Sequence, residues 1–229
     1  MPNHSALIHK QSSPLIATLA LQAIVDIKTR SAVAHELLVR DVGSRASGAM
    51  CVIERLSDAG RRRLAVEAIE YAQMLAQSFQ HRQMHVNIDL DDLGVLDDIE
   101  DLANVTIEIV EGNRNLGQLT RTIDLVHAKG GLVAMDDLGS PSWPINAPLD
   151  AEWDVIKLDQ GVLGWSERRC ADLKRAVDGR NVCLEGIEVE KHLIVAERVG
   201  ATLLQGYAYG VPTILPVYPQ IEFSDLELA

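Results

Sequence analysis

Along the chain, short apolar runs alternate with longer stretches in which apolar residues return every three or four positions. The first pattern reads as buried strands and the second as the inner faces of helices. Leu21 to Asp26 and Val33 to Arg40 are separated only by a short polar turn, which predicts an antiparallel pair. Leu64, Ala68, Tyr71, Leu75 and Phe79 predict a helix over Arg61 to Phe79. Strands are expected at Met84 to Ile88 and Val105 to Val110, then a helix over Leu116 to Lys129 stopped by Gly130-Gly131. The next strand runs from Val133 to Asp136, with Asp137 on the turn after it. Val155 to Asp159, Val182 to Gly186 and Thr202 to Leu204 complete the strands. Helices over Glu167 to Val177 and Glu190 to Val199 lie between them, the second closed by Gly200.

Strand-then-helix alternation implies a mostly parallel α/β sheet. The apolar strands share one irregularity, a polar residue at or near the C-terminal end: Glu36, Asn87, Glu108, Asp136, Lys157, Glu185 and Gln205. From Asn87 onward these recur every 20 to 28 residues, about the length of one strand-helix unit. An open sheet would string them along an edge. A closed TIM-like (β/α)8 barrel brings them to one mouth, the face on which such barrels carry their active sites.

Composition narrows the reading. With 229 residues, 47% of them hydrophobic, the chain can bury one large core. Residues 1–14 are expected as a loose leader, 15–215 as the barrel domain and 216–229 as an irregular C-terminal tail containing Pro216 and Pro219. The net charge of −12 repels phosphate backbones, which argues against DNA or RNA duplexes as partners. Cys51, Cys170 and Cys183 form no paired motif, so a reducing, cytoplasmic setting is expected, without a disulfide framework or zinc ribbon. No stretch approaches the roughly 20 apolar residues of a membrane span. Leu15 to Val25 comes nearest and reads better as strand than as a signal-peptide core.

The candidate site is chemically specific. Glu36, Asn87, Glu108, Asp136 and Asp137 are hard oxygen donors, suited to Mg²⁺, Mn²⁺ or Ca²⁺ rather than zinc or copper. Four carboxylates cannot all stay ionised in one pocket without cations. Two divalent ions about 3.5–4 Å apart would satisfy them, with Asp136 as bridge and Asp137 on the second ion. Lys157 would then position the attacking water or a phosphate oxygen, and Glu185 would accept the water's proton.

The same residues carry a resemblance to the EAL domain family, the cyclic-di-GMP phosphodiesterases. The naming motif Glu-x-Leu-x-Arg stands as Glu36-Leu37-Leu38-Val39-Arg40, preceded by Gln22-Ala23-Ile24-Val25 for Gln-Pro-Ile-Val. Asn87 matches the family's metal-binding asparagine, Glu108-Ile109-Val110-Glu111 its Glu-Leu-Thr-Glu, and Asp136-Asp137-Leu138-Gly139 its Asp-Asp-Phe-Gly. Lys157-Leu158-Asp159, Glu185-Gly186-Ile187-Glu188 and Gln205-Gly206-Tyr207 match Lys-Ile-Asp, Glu-Gly-Val-Glu and Gln-Gly-Tyr.

The resemblance implies a barrel with one antiparallel strand, two Mg²⁺ or Mn²⁺ ions, and hydrolysis of cyclic-di-GMP to linear pGpG. It implies metal contacts by Glu36, Asn87, Glu108, Asp136 and Asp137. Lys157 and Glu185, with Asp137 beside them, would act on the nucleophilic water. Gln22, Leu38 and Arg40 would contact the nucleotide, Glu188, Gln205 and Asp159 would support the metal site, and Glu111 would anchor the loop after the Asp pair. That loop departs from the family. Asp-Asp-Phe-Gly-Thr-Gly-Tyr-Ser-Ser has become Asp136-Asp137-Leu138-Gly139-Ser140-Pro141-Ser142-Trp143-Pro144, and Pro141 fixes φ and removes an N–H. In the family this loop joins the metal site to a homodimer interface. The second reading is therefore a weak or inactive member acting as a cyclic-di-GMP receptor or through a regulatory protein partner. Trp143, Trp153 and Trp165 cluster around the loop and read as packing beneath it.

Overall fold

The computed structural model describes residues 15–42, 52–110, 116–141, 149–214 and 220–229. Strand β1 (Ile16–Asp26) turns at Asp26, whose carboxylate accepts the N–H groups of Lys28 and Thr29, and pairs antiparallel with β2 (Ala32–Asp41). Then follow β3 (Gln83–Ile88), β4 (Val105–Ile109), β5 (Leu132–Leu138), β6 (Val155–Leu158), β7 (Asn181–Leu184) and β8 (Leu203–Gln205). From β3 to β8 each strand is parallel to the one before. β8 closes the ring by pairing antiparallel with β1. The result is the expected closed α/β barrel, with β1 as its one antiparallel strand.

The helices form where the sequence places them. Helix α1 (Asp58–Ser78) starts at Ser57, whose hydroxyl accepts the Gly60 N–H, and buries Leu64, Ala68, Ile69, Ala72, Leu75 and Ala76 at three- and four-residue steps. Helix α2 is Leu116–Ala128, and α3 (Glu167–Ala176) starts at Ser166 and ends with Lys174 and Arg175 in its last turn. Helix α4 (His192–Val199) ends on Gly200, whose φ of 75° suits glycine.

Three features differ from expectation. The first is β1, which begins at Ile16 rather than Leu21. Its second edge is covered piece by piece: β8 on Ile24 to Asp26, β9 (Thr213–Ile214) on Ala20 and Leu21, and β10 (Ile221–Glu222) on Ile16 and Ala17. With no open edge along most of its length, the strand can be apolar almost throughout.

The second is a correction to the irregular tail over residues 220–229. Ile221 and Phe223 are buried with Leu15, Ala17, Val52, Leu56 and Leu64 in a second core. The segment is tied to α1 by Arg63, which binds Glu227 and Glu67. Periodicity missed this because a two-residue strand gains its order from a distant partner.

The third is a bulge in β5. Met135 lies opposite Ile156 and Leu138 opposite Leu158, so three steps on β5 match two on β6, and Asp137 takes a positive φ of 54°. The strand therefore continues past Asp136, and Asp137 is the extra residue within it rather than a turn beyond it.

Alternation along the strands then sorts the barrel into layers. Residues that point inward low in the barrel, Ile24, Ala34, Ala134, Val155 and Cys183, form an apolar floor with Leu203 packed against it. Two positions further toward the mouth stand Gln22, Glu36, Asp136, Lys157, Glu185 and Gln205. Residues facing outward, such as Met84, Val86, Ile107, Met135 and Ile156, belong to the main core.

Candidate active site

Lys157, at the centre of the mouth, is 1% exposed. Its ammonium lies 2.8 Å from Glu108, 2.8 Å from Asp136, 2.9 Å from Glu185 and 3.3 Å from Glu36. Three strands and the turn after β7 thus deliver one carboxylate each to a single cation. Glu36 also accepts from Asn87 Nδ2 at 2.6 Å and from Gln205 Nε2 at 2.5 Å. Gln205 Nε2 donates as well to Gln22 Oε1, and Gln22 in turn to the Gly210 carbonyl. Below them the fully buried Glu108 meets His85 Nδ1 at 2.7 Å.

The bulge in β5 has a chemical consequence. It brings Asp137 beside Asp136, and one carboxylate oxygen each from Asp136, Asp137 and Glu185 lie within 4.8 Å of one another. Asn87 Oδ1 is buried and has no hydrogen-bond partner among the described residues. A carbonyl oxygen left open near clustered carboxylates fits a hard divalent cation, which takes oxygen ligands of both kinds. Glu36, Asp136, Asp137, Lys157, Glu185, Glu188 and Gln205 line a cavity of about 390 Å³, together with Gln22, Leu38 and Asp159. A second, more apolar cavity of about 510 Å³ adjoins it, sharing Glu36, Leu38, Asp136 and Asp137 and running toward Leu64 and Ala68 of α1.

The charges are balanced partly by protons. Burial alone would raise the Glu36 carboxyl, but Lys157 and the hydrogen bonds from Gln205 and Asn87 outweigh it and hold the group at about 2. Burial pushes Glu185 up to about 8, against the pull of Lys157 and with Asp136 and Glu36 adding to the rise. Burial and Glu36 hold Glu108 well above the carboxylate range. Burial would lower Lys157, yet Asp136, Glu108, Glu185 and Glu36 raise it well above its ordinary value. His85 is brought down to about 3 by burial and Lys157, so it is neutral. The ammonium is therefore charged, while Glu185, at about 8, is largely protonated at neutral pH.

The family model described as EAL domain matches residues 16–212. The chain belongs to the EAL domain family. No curated protein matches it. Among solved structures, an EAL domain protein from Listeria monocytogenes superposes with a TM-score of 0.71 at 19% identity, covering 86% of this chain and 89% of that one. A standalone EAL protein from Vibrio cholerae in its cyclic-di-GMP-bound form gives 0.68 at 22% identity, over 90% of this chain and 98% of that one. The manganese and cyclic-di-GMP complex of Klebsiella pneumoniae BlrP1 at pH 9.0 gives 0.73 at 21% identity, over 94% of this chain but 61% of that one.

Within this EAL domain most of the expected site residues converge. Glu36, Asn87, Asp136, Asp137, Lys157, Glu185, Gln205 and Gln22 meet at the mouth through the contacts above. Glu108 is there too, but it sits beneath Lys157 and does not line the cavity. Glu188 is exposed on the rim. Asp159 also lines the cavity, where its carboxylate accepts the Gly161 N–H and starts a 3₁₀ turn over Gln160–Gly164. Arg40 shares the face of Glu36 and Leu38, yet its guanidinium donates to the Val39 carbonyl and lines neither cavity. Glu111, Cys51 and most of the altered loop lie outside the described residues.

One further residue belongs to the site. His85 holds Glu108, and its place two residues before Asn87 on β3 was the available signal, since alternate strand residues share a face. Trp165 packs so closely on Gly139 that a Cβ there would stand 3.1 Å from the indole ring. Trp153 is buried in the main core, and Trp143 lies outside the described residues.

Proposed function

We propose that this EAL domain hydrolyses cyclic-di-GMP to linear pGpG with two Mg²⁺ or Mn²⁺ ions. The observation that carries the reading is the approach of the Asp136, Asp137 and Glu185 oxygens within 4.8 Å beside the Lys157 ammonium, with the unpartnered Asn87 carbonyl on a residue that lines the adjoining cavity. Glu36, Asn87, Asp136 and Asp137 would hold the ions, joined by Glu108 where a cation takes the place of the Lys157 ammonium at its Oε2. When bound, the ions supply activation of water at neutral pH and neutralise charge on the phosphoryl oxygens. Lys157, 2.9 Å from Glu185, would orient the water; bound cations favour the ionised form of Glu185, which would then take the water's proton. The two adjoining cavities give room for the two halves of a dinucleotide, with Gln22 and Leu38 on one wall. Arg40 reaches the nucleotide by leaving the Val39 carbonyl. The cyclic-di-GMP complexes of the Vibrio and Klebsiella relatives support this substrate. A cytoplasmic location and a homodimer belong to the same proposal.

Pro141, which follows the Asp137–Ser140 turn directly, favours a second reading in which the domain binds cyclic-di-GMP and signals without cutting it. The test is incubation of the purified protein with cyclic-di-GMP and Mn²⁺ or Mg²⁺, followed by chromatography. Appearance of pGpG that is lost in Glu36→Ala supports hydrolysis. Intact cyclic-di-GMP, under conditions in which an active relative cleaves it, would refute hydrolysis; tight binding without product would favour the receptor.

A further inference from the structure

The turn that follows β7 carries two rim carboxylates, Glu185 and Glu188, and its backbone is held group by group. The Glu185 N–H donates to the Leu158 carbonyl and the Ile187 N–H to the Gln205 carbonyl, while the Ile187 carbonyl accepts from Ala208 N–H. The last of these contacts needs Gly206, where a Cβ would stand 2.2 Å from the Ile187 nitrogen. The Gly186 carbonyl and the Glu188 N–H both turn to one side-chain atom, Nδ1 of His192, at 3.2 Å each. His192 opens α4, where Lys191 supplies no side-chain cap. Its ring reaches back over the turn instead.

One ring nitrogen is a donor or an acceptor, never both at once. As N–H it serves the Gly186 carbonyl; as a bare lone pair it serves the Glu188 N–H. We propose that His192 is the positioning residue of this acidic turn. It holds the backbone beside Ile187 on one side or the other, at Gly186 as a donor or at Glu188 as an acceptor, and through it the placement of Glu185 and Glu188 against Asp136 and Asp137. The geometry stands by itself, while the consequence for metal and turnover rests on the phosphodiesterase reading. Groups that orient a metal site from behind its ligands typically cost about 10–100-fold in affinity or activity when removed. A glutamine here could offer its oxygen to Glu188 and its N–H to Gly186 together, so it should hold the turn at least as firmly.

The test compares the full chain with His192→Ala and His192→Gln by three measurements: hydrogen exchange at the Glu188 amide, Mn²⁺ affinity by calorimetry, and kcat and KM on cyclic-di-GMP. For His192→Ala we expect about tenfold faster exchange at that amide. Mn²⁺ binding should weaken about tenfold or more, with the loss falling on kcat rather than KM. His192→Gln should restore all three. Unchanged exchange at Glu188 in the alanine variant, or failure of a folded glutamine variant to restore it, overturns the proposal. If the unaltered protein neither binds Mn²⁺ nor turns over, the phosphodiesterase reading falls, and the exchange measurement still decides the positioning role.

Discussion

Replacing Lys157 with methionine tests the electrostatic account of the site. The thioether keeps the shape of the side chain but removes the cation that four buried carboxylates share. Glu36 sets the scale. Its carboxyl is held at about 2 against an ordinary 4.5, and burial opposes that shift. At 1.36 kcal/mol per pKa unit the gap is worth about 3 kcal/mol, with Lys157 its largest favourable source. Breaking a buried ion pair from one side typically costs about 3–5 kcal/mol, which agrees. Glu185, at about 8, is largely protonated at neutral pH and adds little, so the lower figure applies. For a domain of this size about 3 kcal/mol lowers Tm by roughly 6–12 °C.

Divalent ions should then replace the missing charge. At 1,000 times Kd a ligand stabilises by about 4 kcal/mol, so Mn²⁺ should restore Lys157→Met to near the Tm of the unaltered protein. The assay is thermal denaturation of both proteins in chelator and in excess Mn²⁺. A variant as stable as the original in chelator would show that the ammonium does not hold the acids together, and the reasoning would fail.

Three further outcomes follow from the same structure. Glu185 binds its proton more tightly folded than unfolded, with a pKa raised to about 8, so metal-free stability should fall as pH rises from about 4.5 through 8; Glu185→Gln should flatten that slope in urea titrations and cut turnover by about 10²-fold or more. Glu227 is the opposite case, held at about 2 by the Ser224 N–H and hydroxyl and by Arg63. Its contribution is present above about 4.5 and lost as pH falls toward 2, so Glu227→Gln should lose stability at pH 6 yet match the original near pH 2. Gly206→Ala would drive a Cβ into the Ile187 backbone and should destabilise by about 1–3 kcal/mol, read as a lower urea midpoint.

The fold and most of the site could be read from the chain because both follow from local regularities. A polar residue at the end of an apolar strand conflicts with burial, and repetition of that conflict at barrel intervals points to one shared mouth. Glu36, Asp136, Lys157, Glu185 and Gln205 were all visible this way. What escaped notice depends on partners far away in sequence or on backbone detail. The start of β1 and the order in residues 220–229 each need the other segment to be present. The bulge at Asp137 leaves no mark in hydrophobic periodicity, although it decides where that carboxylate points. His192 is a single histidine without a spacing pattern, and only the contacts of its ring distinguish it; alternation puts His85 on the face of Asn87, but only the structure shows its contact with Glu108. Arg40 matches a motif, but its guanidinium rests on the Val39 carbonyl.

The piecewise covering of β1 sets a timetable for synthesis. β1 is the first described strand to leave the ribosome, yet Ile16 and Ala17 find their second partner only at Ile221 and Glu222. Until those residues emerge, an apolar strand with an open edge stands exposed, a template for pairing with other chains. Completion of that edge is therefore among the last events of folding, and contacts of such long sequence separation form slowly. Expression at low temperature or with added chaperone should raise soluble yield, and truncation before residue 220 should lower it, whatever the fate of the catalytic mouth.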